Sequence, residues 1–154
     1  MSYAKAKAFL EEKGFGDRVI VFETSTATVS LAAAALGVPD DAIAKSVALY
    51  AGDRPILVLT KGTARIDNRK FKDTFFAKPK MIPFPEVESI IGHAPGGVCP
   101  FGRSEGVPVY LDESLKGFDR VYPAAGDDHT AVNLSVSELE ALTDGAWVDV
   151  TKSE

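Results

Sequence analysis

Apolar residues at Ala6, Phe9 and Leu10 recur at helical spacing, so residues 3–13 are predicted to form an amphipathic helix. Val19 to Phe22 is a short continuous apolar run of the kind that suits a buried strand. After the polar stretch Glu23–Thr28, Val29 to Leu36 reads as an alanine-rich helix closed by Gly37 and followed by Pro39, with a short helical turn opening at Pro39-Asp40-Asp41. Two apolar runs, Ser46–Tyr50 and Pro55–Thr60, are separated by Ala51-Gly52-Asp53-Arg54, and that spacing around Gly-Asp predicts a β-hairpin. Asp67 is placed to cap a helix from Asn68 to about Phe75, and Pro85 to open one through Ile91. Strands are expected at Val107–Leu111, Arg120–Tyr122, Ala131–Leu134 and Trp147–Val150. Ser135 or Ser137 can cap a helix over Glu138–Leu142 that stops at Asp144-Gly145.

The order is mixed α/β with hairpin-like neighbours rather than strict βαβ alternation, which argues against a regular doubly wound sheet. No repeat, low-complexity tract or linker interrupts the pattern, so residues 1–154 are expected to form one domain. At 154 residues, 45% apolar and 25% charged, the chain can bury a core without metals or disulfides. A single cysteine, Cys99, excludes an internal disulfide framework and suits a reducing compartment. The N-terminal MSYAKAKAFLEEKG carries acidic residues and no apolar core of signal-peptide length, and no stretch approaches a membrane span. A cytoplasmic protein with no membrane partner is the expectation.

Charge changes the picture locally. The chain carries −5 overall, whereas from Lys61 to Lys80 seven basic residues (Lys61, Arg65, Arg69, Lys70, Lys72, Lys78, Lys80) stand against Asp67 and Asp73. That segment is therefore +5 and the remainder −10. Such a patch can follow phosphates while the rest of the surface stays acidic, or it can be a solvated helix with its flanks.

Two places carry candidate chemistry. The stretch Gly92–Gly102 holds four glycines and two prolines in eleven residues. Glycine permits left-handed backbone and close approach, proline stiffens the turn, and amides freed in such a loop can form a nest for a carbonyl oxygen or phosphate. The same composition also makes a tight helix-to-strand connector. It is neither a phosphate loop nor a dinucleotide fingerprint. Lys45, between Ile43-Ala44 and the strand around Val47–Leu49, must either snorkel or serve a site.

Taken in order, Ile43-Ala44-Lys45-Ser46, the hairpin ending Leu57-Val58-Leu59, the Gly96-Gly97-Val98-Cys99-Pro100-Phe101-Gly102 loop and Leu111-Asp112-Glu113-Ser114-Leu115 resemble the YbaK/ProX family, the editing domains related to the insertion domain of bacterial prolyl-tRNA synthetase. The resemblance spans roughly residues 3 to 150. It implies a compact mixed α/β fold, with a partly barrel-like β-sheet flanked by helices. It also implies hydrolysis of the ester joining a wrong amino acid to the tRNA 3′ end, with Ala, Cys or Ser on tRNA for proline as the expected substrates and with no cofactor and no metal. Lys45 would hold the terminal adenosine or the aminoacyl end, and the amides of Gly96, Gly97, Val98, Cys99, Pro100, Phe101 and Gly102 would cradle the carbonyl wherever an N–H exists. His129 falls in a region that lines the pocket in that family. Lys61, Arg65, Arg69, Lys70 and Lys72 then become contacts for the acceptor end, and Phe75, Phe76 or Phe101 a stacking surface for the single-stranded terminus. Prolyl-tRNA synthetase is a possible associate, and DNA is not an expected partner.

Two other functions remain at this stage. One is a non-catalytic module that binds tRNA or a synthetase; the other is a small-molecule thiol hydrolase using Cys99. A catalytic cysteine needs a base, and His93 and His129 are the only histidines. Two histidines and one cysteine also make a zinc site improbable, and the adjacent Asp127-Asp128 reads more simply as a solvated turn than as a magnesium site.

Overall fold

The Gly52-Asp53 turn forms where its spacing places it. In the computed structural model, which describes residues 2–152, β2 (Ala44–Ala51) and β3 (Arg54–Lys61) pair antiparallel from Ala51 opposite Arg54 to Ala44 opposite Lys61. β3 continues into a parallel pair with β6 (Val109–Asp112), and β6 into another with β8 (Ala146–Val148). On the far side, β5 (Pro79–Met81) joins only the end of β2, from Leu49 to Ala51. The sheet order is β5-β2-β3-β6-β8, with Ile56 to Thr60 of β3 buried at its centre. Two short pairs complete the strands: β1 (Val19–Val21) with β7 (Thr130–Val132), and β4 (Arg65–Ile66) with β9 (Thr151–Lys152).

Five helices flank these strands, and their ends follow local chemistry. α1 (Ser2–Glu12) buries Ala6 and Leu10 completely. Thr28 caps α2 (Val29–Leu36) by accepting from Leu31 N–H, and Gly37 ends it at φ 72°, where a left-handed residue is needed. The Asp67 carboxylate accepts from the amides of Arg69 and Lys70 at the start of α3 (Asn68–Phe75). α4 (Phe84–Ile91) has its proline in the first turn. Of the two serines, Ser135 is the cap of α5 (Val136–Thr143): it accepts from Glu138 N–H while the Glu138 carboxylate accepts from Ser135 N–H. Arg18 clamps that carboxylate with two bonds of 3.0 Å, and this, with the Ser135 amide, holds it down to about 2. Among the described residues no helix is long and apolar enough to cross a membrane.

Several expected strands are shorter than the apolar runs that suggested them. Pro108 has no N–H to offer a ladder, so β6 starts at Val109. Residues 120–122 form no strand, only isolated bridges from Val121 to Leu134 and from Tyr122 to Ile43, because Pro123 follows. β8 stops at Val148, and the Val150 amide donates instead to the Asp112 carboxylate at 2.8 Å. β4, β5 and β9 have no counterpart among the expected strands, since two or three residues carry no readable period.

These bridges explain the partly closed shape. Past the N-terminal half of β2 the sheet curls through Tyr122 and Val121 to Leu134 and the β1–β7 pair, whereas β5 covers only the C-terminal half. The two neighbours diverge, and β2 lies at the fork.

Asp112 ties the end of β6 to the C-terminal segment. It is fully buried and accepts from Ser114 N–H (2.9 Å), Val150 N–H (2.8 Å) and the Thr151 hydroxyl (2.6 Å). Asp112→Ala strands three donors in a closed interior and is expected to lower unfolding free energy by about 3 kcal/mol or more in a denaturant titration, at roughly 1–3 kcal/mol for each buried group left unsatisfied.

Candidate active site

A cavity of about 450 Å³ opens in the fork beside β2. Its walls come from Thr26–Val29 at the start of α2, the edge of β2, Ile66 of β4, Met81 and Ile82 at β5, Phe84 and Val87 of α4, Gly96 and Val98 of the glycine-rich loop, and the 122–131 segment. Strand alternation puts Lys45 and Ser46 on opposite faces. Lys45 shares its face with Val47 and Leu49, which pack with Ile66, and Ser46 shares its face with Ala44 and Ala48 in the main core. The Lys45 ammonium donates to the Ala64 carbonyl at 2.5 Å. Among the described residues it is the only charged side chain on a lining otherwise made of apolar and hydroxyl-bearing residues. The polar run before α2 serves two purposes: Thr28 is the helix cap, and Thr26, Ala27 and Thr28 all line the cavity.

The loop residues divide. Gly96, at φ 93°, and Val98 line the cavity. Gly97 is buried between them, with its N–H bonded to Ala94 O at 3.0 Å. A Cβ there would lie 2.4 Å from the Asp127 amide nitrogen and 2.5 Å from Gly126 C, so glycine is what lets the loop pack against the 126–127 backbone. Residues 99–102 turn away from the cavity. Cys99 and Phe101 are fully buried, Pro100 is buried, the Phe101 ring stacks on Phe9 at 6.2 Å, and a Cβ on Gly102 would meet Lys5 O at 2.6 Å. Of the seven residues read from sequence, two border the cavity and the others hold those two in place.

Cys99 does have a histidine beside it. His93 Nε2 lies 3.6 Å from Sγ, yet the pair is not built for nucleophilic attack. Both residues are fully buried and neither lines the cavity. Nε2 donates to the Phe101 carbonyl at 2.7 Å, so it already carries a proton and cannot take one from sulfur. Burial pushes the thiol up to about 12 and the histidine below its ordinary value. Cys99→Ser is therefore expected to leave turnover within about 3-fold of the parent in a steady-state assay, against the roughly 10⁴-fold or greater loss that deleting a nucleophile causes.

His129 sits apart from the cavity lining. Its Nδ1 contacts Asp128 at 2.6 Å and its N–H donates to Asp127 Oδ1, so both aspartates shape this turn. Arg65 lies between Ala64 and Ile66, which both line the cavity. Arg69 and Lys72, joined by Lys78, border a shallow depression on α3, the helix that connects β4 to β5 at the cavity's edge. Lys70 is engaged by Asp149 (3.1 Å) and Thr151 O (2.9 Å), and Lys61 ends β3, its N–H on Ser114 Oγ. Of the expected stacking rings, Phe101 is in the core and Phe75 packs on Phe71 and Tyr110. Phe76 is exposed but does not line the cavity. The ring at the cavity mouth is Phe84, 76% exposed, which sequence reasoning missed because it sits at a helix start beside two prolines.

Comparison with known proteins gives a consistent result. The aminoacyl-tRNA editing domain family matches residues 23–142. YwhH of Bacillus subtilis is 45% identical over 136 residues, covering 87% of each chain. The proline–tRNA ligase of Bacillus subtilis is 32% identical over 112 residues, 71% of this chain and 20% of that enzyme. A solved structure described as a candidate trans-editing enzyme for prolyl-tRNA synthetase superposes with a TM-score of 0.89 at 31% identity, covering 99% of this chain and 98% of that one.

Proposed function

This chain belongs to the aminoacyl-tRNA editing domain family, and on that premise we propose that it acts in trans to hydrolyse the ester of mischarged tRNA, with tRNA for proline carrying Ala, Cys or Ser as the substrate class. One observation carries the reading: a lone ammonium, Lys45, stands in an apolar cavity of ligand size at the open edge of a strand. Such a site suits a small uncharged side chain attached to a group that is or becomes anionic. Among the described residues no carboxylate or guanidinium lines it to hold a charged amino acid.

The chemistry asked of the protein is modest. Water adds to the ester carbonyl, the bond to the ribose oxygen breaks, and the products are free amino acid and tRNA with its 3′ hydroxyl restored. An activated ester needs positioning and stabilisation of the developing oxyanion more than a protein nucleophile. Lys45 supplies positive charge. Since Gly97 N–H is taken by Ala94, the loop amides that can serve are those of Gly96 and Val98. Phe84 at the mouth offers the terminal adenine a stacking face.

The acceptor stem would then run over α3. Arg69→Glu with Lys72→Glu is expected to raise KM about 10-fold or more at low salt with little change in kcat, and to flatten the dependence of log KM on log salt by roughly two phosphate contacts. Equal salt slopes for parent and variant would place the tRNA elsewhere.

The reading is tested by offering the purified protein tRNA for proline charged in turn with Ala, Cys, Ser and Pro. Turnover of at least one of the first three, with Pro spared, is expected. Salt-dependent binding with no turnover on any of them would make the chain a binding module instead.

A further inference from the structure

The open edge of β2 lies inside the cavity, and its geometry defines what it can bind. Ala44 N–H donates to Tyr122 O at 3.3 Å and Ala48 O accepts from Ile82 N–H at 3.2 Å; both groups point away from β3. Main-chain groups on a strand alternate in direction, so Ser46, midway between, presents its own N–H and C=O to the same side. Neither neighbour reaches it. Past Ile82 the chain enters α4 at Phe84, and past Tyr122 it turns toward β7, Pro123 O accepting from Val132 N–H. The side chain does not fill the gap either. Ser46 is half-buried on the cavity wall, yet its Oγ has no accessible surface and no partner, so what the residue shows the cavity is its peptide edge and Cβ.

A strand edge one residue long is complementary to one residue of another strand. In an antiparallel pair of the hydrogen-bonded type, opposed residues exchange two bonds, each donating its N–H to the other's C=O. The free end of an aminoacyl ester, an ammonium and a carbonyl on either side of one Cα, carries the same donor and acceptor at the same spacing. We propose, resting on the deacylase reading, that the aminoacyl group docks opposite Ser46 as a single-residue strand, its α-ammonium donating to Ser46 C=O and its ester carbonyl accepting from Ser46 N–H. Ser46 is thus a substrate-binding residue acting through its main chain. The site requires an unblocked α-ammonium, and esters that lack one (N-acylated aminoacyl- and peptidyl-tRNA) are excluded. The same contact aims Ser46 N–H at the carbonyl oxygen that gains charge during hydrolysis.

Two arms test this on the same protein. The first compares alanyl-tRNA for proline with its lactyl counterpart, in which a hydroxyl replaces the ammonium, and with N-acetylalanyl-tRNA, each rate divided by its spontaneous hydrolysis. Normalised kcat/KM is expected to fall about 10- to 100-fold on the lactyl ester, the worth of a hydrogen bond made by a charged group, and at least as far on the blocked one. The second sets Ser46→Pro against Ser46→Ala, so that the hydroxyl is lost in both and the edge N–H only in the proline variant; the ladder to β3 runs through Lys45 and Val47, and proline is tolerated on an edge. A folded Ser46→Pro protein should bind tRNA as before and lose about 100-fold in kcat. Equal normalised rates on the alanyl and lactyl esters overturn the proposal while leaving the deacylase reading intact, as does a folded, fully active Ser46→Pro. Should that variant not fold, the substrate arm decides alone. Failure of the parent protein on every free-amino ester removes both readings together.

Discussion

Lys45→Ala is expected to reduce kcat/KM for deacylation by about 100-fold, the typical cost of removing one preorganised group that stabilises an oxyanion. The size follows from where the charge sits. Its ammonium is pinned by the Ala64 carbonyl at 2.5 Å, and among the described residues no other charged side chain shares the cavity lining. Deleting it leaves an apolar cavity with no positive charge for phosphate or oxyanion. The neighbouring fold depends little on it, since β2 keeps its ladder to β3 through main-chain bonds. Single-turnover deacylation paired with thermal melting separates the two effects: a large drop in rate with a small shift in Tm. Lys45→Arg should restore little, because a bulkier planar guanidinium cannot take the position of a compact ammonium against Ala64. A Lys45→Ala protein at parental rate would mean that the cavity is not where the ester is cleaved.

Gly97→Ala is expected to cost about 100-fold in kcat/KM by another route, since a displacement of about 1 Å in a positioning element has that order of effect. The added methyl would fall 2.4–2.5 Å from backbone atoms of residues 126 and 127, and backbone cannot swing aside as a flexible side-chain end can. The loop must therefore move off the 126–127 segment, carrying Gly96 and Val98 with it. Stability should fall as well, by about 1–3 kcal/mol as in other overpacked interiors. The diagnostic pattern is a loss in kcat with tRNA affinity retained, measured by filter binding at fixed salt, because α3 lies outside the disturbed region. Unchanged turnover would show that the loop's position does not matter to the reaction.

Much of this arrangement is legible in the chain because local chemistry decides it. Thr28, Asp67 and Ser135 each cap the helix that their position announces, and Gly52-Asp53 turns the hairpin. The motif resemblance holds at the level of the family. Lys45 was visible as a cation among apolar neighbours, and Gly96 and Val98 as part of a loop too rich in glycine and proline to be ordinary. What could not be read is direction. Cys99 and Phe101 are as apolar as Val98, and only the tertiary fold decides that they face α1 and the core while Val98 faces the cavity. The fork in the sheet is equally non-local. It is set by the 82–84 and 122–124 segments, forty residues apart in sequence, each leaving β2 at a different end, and no window of residues contains both. Phe84 escaped for the same reason, its exposure at the cavity mouth being set by where β5 leaves the sheet.

The most direct test of the account is to watch a non-cleavable end of tRNA settle on the protein. Titration of ¹⁵N-labelled chain with an alanyl-adenosine analogue, its ester replaced by an amide, should move the amide resonances of Lys45 to Ala48 and of Gly96 to Val98, and leave Cys99 and His129 nearly still. Shifts confined to α3 and its basic depression, with the β2 edge unmoved, would contradict it.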